Sequence, residues 1–283
     1  MIKTIAVIGA GQMGSGIAHI CAVAHYTVYL IDTSQDQLDK AFSNIKKNLE
    51  RQVTKGTLTP QLKDEALTKL HLSLLIENPA LIDLVIEAVA ENLELKSRIF
   101  RELDRSLPST TLLASNTSSL SITQLASATM RPDKVIGMHF MNPPALMPLV
   151  EVIKGANTSS VTYEAIHAMI LHLGKTPVTS QDSPGFIVNR ILMPMINEAI
   201  YALDEGIASP EDIDTAMKLG THQPMGPLAL ADFIGLDTCL SIMQVLHQGF
   251  HDDKYRPCPL LEKYVKTGRL GKKIGHGFYE YAV

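Results

Sequence analysis

The first 183 residues alternate between short apolar runs and longer amphipathic segments. The apolar runs are rich in β-branched residues, which is typical of strands buried on both faces. The predicted strands are TIAVIG, TVYLID, LVIEAV, TLLASN, KVIGMHF, LVEVI and TPVTS. Helices are predicted at 11–24, at about 35–54, after Pro60 and at about 92–105. This alternation predicts an α/β fold built on a doubly wound, mostly parallel sheet.

The pattern changes after Ser183, where strand signals nearly disappear. Residues 184–206 are predicted to form one long helix, apolar almost all round and ended by Gly206. Such a helix must be buried, either within its own domain or against a second copy of the chain. We therefore predict two domains, 1–183 and 184–283, of which the second is all-helical.

The segment SPEDIDTAMKLG, just beyond the long helix, predicts the start of a second helix. Ser209 is placed to cap the helix, and Pro210 suits its first position. Asp212 stands where a capping box has its acid.

Composition narrows the function classes. Among the 283 residues 46% are hydrophobic and 19% charged, and the net charge of −4 argues against a general nucleic-acid binder. No apolar stretch reaches the roughly 18 residues that span a bilayer. The N-terminus does not resemble a signal peptide, so a cytoplasmic location is expected. Cys21, Cys239 and Cys258 are too sparse for a disulfide framework or a zinc site, so we predict reduced thiols and no metal.

A glycine motif follows the first predicted strand and opens the first predicted helix. Gly9 allows a tight turn, Gly11 leaves room for a pyrophosphate, and Gly14 lets the helix pack close to the strand. Asp32 ends the second strand, where a carboxylate accepts hydrogen bonds from ribose hydroxyls and repels a 2′-phosphate. The pattern predicts NAD rather than NADP. The alternative is a glycine-rich turn in a nucleotide-free fold, with Asp32 as a helix cap.

Four polar residues are candidates for chemistry: Ser118, His139, Glu151 and Asn189. Ser118 and His139 follow predicted strands, at the ends where open α/β sheets bind ligands. Asn189 is near the start of the second domain, and a cleft between the two halves would gather these side chains. Each residue alone also has a structural explanation, as a helix cap, a strand-end histidine, a solvated acid or an interdomain turn.

Several blocks together resemble the L-3-hydroxyacyl-CoA dehydrogenases, especially the short-chain 3-hydroxybutyryl-CoA dehydrogenases. The blocks cover essentially the whole chain and include IAVIGAGQMGSGIA, ASNTSSLSIT, GMHFMNPP, MPLVEVI, DSPGFIVNRIL and GKKIGHGFYEY. The resemblance implies a Rossmann-type NAD domain, a helical C-terminal domain that forms a homodimer, and a catalytic His–Glu pair. His139 and Glu151 match that pair, and Ser118 and Asn189 match substrate-contacting positions.

The resemblance also assigns cofactor contacts. They comprise the turn residues Gly9, Gly11, Gln12, Met13 and Gly14, then Asp32, Glu91, Lys96, Asn116 and Asn142. Glu91 and Lys96 match positions near the nicotinamide ribose, and Asn116 and Asn142 are expected to line the same pocket. Ordinary loop and helix polarity is the alternative for these last four.

Coenzyme A carries phosphates, so cations are expected near its site. Lys47, Arg51 and Lys55 recur every four residues and share one helix face. The resemblance places the acyl-CoA contacts at Arg51 and Lys55, and a solvated basic face is the alternative. Pro148, His222 and Ala229 depart from the usual lysine, asparagine and glutamate of the family, which leaves the acyl-chain preference open.

The predicted activity is NAD-dependent interconversion of (S)-3-hydroxyacyl-CoA, in particular 3-hydroxybutyryl-CoA, with its 3-ketoacyl-CoA. One alternative is a dehydrogenase of free 3-hydroxyacids, which typically uses a lysine where this chain has Asn189. A non-enzymatic NAD-binding protein is another, although His139, Glu151 and Ser118 are all present. The third is one module of a multifunctional β-oxidation protein.

Overall fold

The computed structural model describes residues 2–282. The chain divides into two compact units, with the boundary between Ser183 and Pro184. The first unit is an α/β layer structure, and the second is helical.

One eight-stranded sheet forms the first unit, in the order β3-β2-β1-β4-β5-β6-β7-β8. All neighbouring strands are parallel except β6 and β7, which are antiparallel. The predicted doubly wound, mostly parallel sheet is thereby confirmed. Its strands are β1 (Thr4–Ile8), β2 (Thr27–Ile31), β3 (Leu70–Ser73), β4 (Leu84–Glu87), β5 (Leu112–Ser115), β6 (Val135–Phe140), β7 (Leu149–Lys154) and β8 (Thr176–Gln181).

Six helices accompany the sheet, several with side-chain caps that the sequence supplies. Ser34, Thr59, Asn92, Ser121 and Ser159 each accept a hydrogen bond from a backbone N–H in the first turn, which satisfies a donor the helix itself leaves open. The helices are α1 (Gln12–Val23), α2 (Gln35–Thr54), α3 (Pro60–Lys69), α4 (Leu93–Ser106), α5 (Ile122–Ala126) and α6 (Ser160–His172).

Among the strands and α-helices of the first unit, β3, α5 and α6 were not predicted. Strand β3 is only four residues long, and it takes its conformation from the parallel ladder with β2, in which Val28 pairs with Leu70. Helix α6 is rich in β-branched and aromatic residues, which weakens its helical signal. It connects β7 to β8, and a parallel pair requires such a crossover.

The second unit packs five helices around a core that includes Met193, Ile200, Leu228, Leu246 and Leu261. Its only strand-like contacts among the described residues are two isolated bridges centred on His276. The helices are α7 (Val188–Asp204), α8 (Pro210–Gly220), α9 (Pro227–Ile234), α10 (Leu236–Phe250) and α11 (Pro259–Lys266).

The long helix differs from its prediction at one end and on one face. It begins at Val188 rather than at 184, because Gly185 and Phe186 adopt positive φ values of 73° and 51° that a helix cannot contain. It is buried on one face only, since Met193 and Ile200 are enclosed while Ile191 is 67% exposed.

The cap predicted for the next helix is present. The Ser209 hydroxyl accepts a hydrogen bond from the Asp212 N–H at 3.1 Å and lies 2.9 Å from the Asp212 carboxylate. Pro210 is the first residue of α8.

Two buried aspartates tie the second unit together through backbone groups. Asp214 accepts hydrogen bonds from the first N–H groups of α9, those of Leu228 and Ala229, at 2.8 and 2.9 Å. Asp232 accepts from Phe278 N at 2.9 Å and from Tyr279 N at 3.0 Å. The C-terminal segment is therefore fastened to α9 by a carboxylate.

The three cysteines are free, and all three are buried. Within residues 2–282 no single helix has the length and apolar composition to cross a membrane. Helices α9 and α10 pass that test only as a pair bent by 98°.

Candidate functional site

The glycine turn lies where β1 meets α1. Gly9 has a φ of 102°, which favours glycine, and its N–H donates to Ile31 O at 2.7 Å. A Cβ on Gly14 would stand 1.8 Å from the Gly9 carbonyl oxygen, so only glycine allows this approach. At Gly11 a Cβ would meet nothing within 4 Å, so space is open beside the helix N-terminus. These properties fit a bound pyrophosphate.

Asp32 lies just beyond β2 and fastens the glycine turn. Its Oδ2 accepts from Ala10 N at 2.8 Å, and its Oδ1 accepts from Ser34 N at 3.0 Å. A groove of about 660 Å³ runs beside it, lined by Gly9, Gly11, Asp32 and a mixture of apolar and polar side chains. The groove and the carboxylate at its edge suit the adenosine half of NAD.

Two further turn residues have different environments. Met13 is partly buried and packs against the core of the first unit. The Gln12 amide donates to Asn142 Oδ1 at 3.1 Å, which links the start of α1 to the loop after β6. Asn116 also holds that region, because its Oδ1 accepts from Phe140 N at 2.9 Å.

His139 and Glu151 stand directly opposite each other on β6 and β7. His139 Nδ1 lies 2.7 Å from Glu151 Oε2. The glutamate is fully buried and the histidine nearly so. Because the two strands are antiparallel, the start of β7 lies at the same sheet edge as the end of β6. A carboxylate in this position orients the imidazole and stabilises its protonated form.

A buried ion cluster lies at the ends of β4 and β5. Lys96 on α4 is 1% exposed, and its Nζ lies 2.7 Å from Glu87 Oε1 and 3.3 Å from Glu91 Oε2. The same Nζ donates to Val89 O at 3.2 Å. The lysine is thus enclosed by two carboxylates and a carbonyl.

Glu91 connects this cluster to Ser118. Its Oε1 accepts from the hydroxyl groups of Thr117, Ser118 and Ser119 at 2.5, 3.3 and 3.0 Å. It also accepts from the backbone N–H groups of Ser118 and Ser119 at 2.9 and 3.1 Å. Burial alone would raise the pKa of Glu91, but Lys96 and these hydrogen bonds outweigh it, so the pKa lies below its usual value. The carboxylate is therefore ionised at neutral pH.

A second groove, of about 490 Å³, lies between α1, α2 and the loop after β6. Lys40, Lys47 and Arg51 line it. Lys55 does not line this groove; it is the exposed C-cap residue of α2. Of the three residues on the predicted basic face, Lys47 and Arg51 therefore line the groove, and Lys55 lies beyond it.

The remaining candidates belong to the second unit. Asn189 lies in the first turn of α7 and is buried. His222 is exposed, with a left-handed φ of 59°, and Ala229 lies in the first turn of α9. In the first unit, the Pro148 carbonyl accepts from Thr176 N at 2.8 Å.

Sequence reasoning overlooked Glu87, Lys40 and the buried His19. Glu87 had a visible signal, because it is an acid at the end of an otherwise apolar strand. Lys40 and His19 had none, since their approach to one groove depends on how α1 packs against α2. Among residues 2–282 no group of three or more His, Cys, Asp or Glu side chains is arranged to hold a metal ion.

Both units of the chain match models of one protein family. Residues 4–183 match the family model of the 3-hydroxyacyl-CoA dehydrogenase NAD-binding domain, and residues 185–281 match that of its C-terminal domain. A 3-hydroxybutyryl-CoA dehydrogenase from Bradyrhizobium diazoefficiens is 56% identical over 281 residues, which cover 99% of this chain and 96% of the relative. A mitochondrial hydroxyacyl-coenzyme A dehydrogenase from Rattus norvegicus is 45% identical, with coverage of 99% and 92%.

Solved structures agree. The crystal structure of (S)-3-hydroxybutyryl-CoA dehydrogenase from Ralstonia eutropha superposes with a TM-score of 0.97 at 48% identity, and each chain is covered completely, at 100%. The chain therefore belongs to the 3-hydroxyacyl-CoA dehydrogenase family of NAD-dependent oxidoreductases.

Proposed function

We propose that this protein interconverts (S)-3-hydroxybutyryl-CoA and acetoacetyl-CoA, with NAD as the redox partner. The observation that carries the proposal is the buried pair of His139 and Glu151. The antiparallel register of β6 and β7 sets the two residues opposite each other, with Nδ1 of the histidine 2.7 Å from Oε2 of the glutamate. The bacterial relatives named as 3-hydroxybutyryl-CoA dehydrogenases, at 56 and 49% identity, support the short acyl chain.

The first unit fits the cofactor. The turn at Gly9, Gly11 and Gly14 would hold the pyrophosphate, and Asp32 would face the adenosine ribose. Glu91 and Lys96 would stand on the nicotinamide-ribose side. When bound, NAD supplies the acceptor for the hydride that leaves C3 of the substrate.

His139 moves the proton. With Nδ1 bonded to Glu151, the neutral ring would carry its proton on that nitrogen, and Nε2 is the atom proposed to take the proton of the 3-hydroxyl. Glu151 stabilises the imidazolium that forms. In the reverse direction Nε2 returns the proton to the developing alkoxide.

Ser118 and Asn189 are proposed to donate hydrogen bonds to the same substrate oxygen, where negative charge develops. Of the hydroxyl groups on Glu91 Oε1, that of Ser118 makes the longest hydrogen bond, 3.3 Å against 2.5 Å for Thr117.

The basic groove is proposed to receive the phosphates of coenzyme A. Lys40, Lys47 and Arg51 supply its cations, and the approach to the α1 N-terminus adds backbone N–H groups. Lys55 is assigned to this site only through the family resemblance. Replacing Arg51 by Glu should raise the KM for acetoacetyl-CoA more than that for a truncated thioester, and Lys55→Glu measures whether the site extends past the helix end.

A homodimer through the second unit and a cytoplasmic location are also proposals. Among the described residues of that unit, six large apolar side chains are exposed in the single chain: Ile191, Ile207, Leu219, Met225, Phe233 and Ile274. Light scattering on the purified protein tests the dimer, and a monomer at micromolar concentration would contradict it.

The decisive experiment measures the loss of NADH absorbance with acetoacetyl-CoA, beside NADPH and beside free acetoacetate. Rapid loss with NADH and the CoA ester alone is expected. Activity with free acetoacetate would favour the hydroxyacid alternative, and no turnover in protein shown to bind NADH would contradict the proposed substrate.

A further inference from the structure

Glu87 is a fully buried acid that the proposed chemistry does not use. It ends β4, and both of its oxygens are occupied. Oε1 accepts from Lys96 Nζ at 2.7 Å and from Val89 N at 2.7 Å. Oε2 accepts from Ser115 Oγ at 2.6 Å. These hydrogen bonds come from three separate groups, on α4, on β5 and in the backbone after β4, and together they restrain the orientation of the carboxylate.

The position of Lys96 depends on this carboxylate. A lysine that is 1% exposed needs a counter-charge, because an unpaired buried cation is strongly destabilising. Glu87 provides it at 2.7 Å, whereas Glu91 is farther away at 3.3 Å and about a third exposed, at 35%. Glu87 is therefore the main partner that keeps the ammonium group at its depth.

Because of Lys96, the two oxygens of Glu91 make different interactions. Oε2 faces the ammonium group, and Oε1 accepts the hydrogen bonds of the turn that contains Thr117, Ser118 and Ser119. If Lys96 lost Glu87, it would need Glu91 as its main counter-ion. The Glu91 carboxylate would then rotate or shift toward Lys96 and weaken its hold on the turn.

We propose that Glu87 is a positioning residue for Ser118, acting through Lys96 and Glu91. The inference rests on the proposed function, in which Ser118 contacts the substrate oxygen. Glu87 touches neither substrate nor cofactor in this account. Glu87 holds Lys96 in place, and Lys96 holds the Glu91 carboxylate. Glu91 in turn orients the 117–119 turn that carries the Ser118 hydroxyl.

The test is a double-mutant cycle between Glu87→Gln and Ser118→Ala, with acetoacetyl-CoA reduction as the assay. Glu87→Gln keeps the shape and removes the charge. It should lower kcat by about tenfold to a hundredfold, the scale expected when a reacting group is misplaced by a remote change. In the Ser118→Ala background, with NADH saturating, the same substitution should change kcat by less than about twofold, because coupled residues are not additive.

Asp104→Asn is the matched control. Asp104 lies on the same helix as Lys96 and makes a partly buried ion pair with Arg131 at 2.7 Å, but it has no hydrogen bond to the 117–119 turn. Its loss should reduce stability while kcat stays within about twofold in both backgrounds.

Glu87→Asp serves if Glu87→Gln does not fold, since it keeps every charge and draws the carboxylate back from Lys96 Nζ by one methylene. A smaller loss of kcat, again absent in Ser118→Ala, supports the inference. Equal losses in both backgrounds, for either variant, would overturn it while the wild-type activity stands. An inactive wild type would overturn the proposed function and this inference together.

Discussion

The buried carboxylates of the two units have different kinds of partner. In the first unit Glu151 lies 2.7 Å from an imidazole and Glu87 lies 2.7 Å from an ammonium group. In the second unit Asp214 and Asp232 are also buried, yet they accept hydrogen bonds from backbone N–H groups and tyrosine hydroxyls.

The comparison shows that the partner decides what a buried carboxylate does. Backbone N–H groups do not titrate, so the buried acids that accept from them in the second unit fasten segments of the fold. An imidazole or an ammonium group holds a charge or a proton that the carboxylate stabilises. Burial alone therefore does not identify a functional acid. Four predictions test this distinction.

The largest effect is expected for His139→Gln. Because the base is lost, kcat should fall by about 10²- to 10⁴-fold, while the dissociation constant of NADH stays nearly unchanged. Steady-state kinetics and an NADH fluorescence titration measure both. His71→Gln, an exposed histidine stacked on Tyr29, is the control and should keep its turnover. Near-normal turnover in His139→Gln would remove the catalytic role.

Asp232→Ala should have the next largest effect, on stability rather than on kcat. It leaves the N–H groups of Phe278 and Tyr279 and the Tyr281 hydroxyl without their acceptor. We expect the free energy of unfolding to fall by about 2–4 kcal/mol, measured by urea titration.

The exposed Glu205→Gln provides the matched control and should stay within about 0.5 kcal/mol of wild type. If folded Asp232→Ala lost turnover instead of stability, the contrast between the two units would be wrong.

Glu151→Gln should be milder than His139→Gln. The amide oxygen still accepts the Nδ1 proton and holds the ring, but it no longer stabilises the imidazolium. We expect kcat to fall by about 10- to 10²-fold. Wild-type kinetics across the pH range would show that Glu151 only packs between strands.

The smallest effect concerns the pH dependence of stability. Although burial opposes it, Lys96 and the 117–119 turn lower the pKa of Glu91, so its contribution is present above the ordinary value of 4.5 and is lost as pH falls through the folded pKa. Burial raises the pKa of Asp232 despite its hydrogen bonds, so its contribution is lost as pH rises.

Unfolding free energies of Glu91→Gln and Asp232→Asn, each compared with wild type between about pH 3 and pH 6, should therefore change in opposite directions. The Glu91 effect should be small, because a third-exposed side chain is screened by solvent, with an exposure of 35%. Parallel pH profiles would contradict the assignment.

Local signals account for what could be predicted. The glycine turn, the cap at Ser209 and seven of the eight strands follow from short stretches, because their causes lie within a few residues. The missing strand β3 and the late start of α7 are not local. Strand β3 forms only by pairing with β2, and the start of α7 depends on the positive φ values at Gly185 and Phe186.

By itself the sequence determined the fold class, the cofactor class and the identity of the candidate residues, since these depend on residue types in order along the chain. Only the tertiary structure decided which of those residues meet. The antiparallel register sets His139 against Glu151, and the ends of β4 and β5 enclose Lys96 between two acids. The packing of α1 against α2 brings Arg51, but not Lys55, to the groove. Contacts between residues far apart in sequence are fixed by strand pairing and helix packing, which no single stretch of the chain specifies.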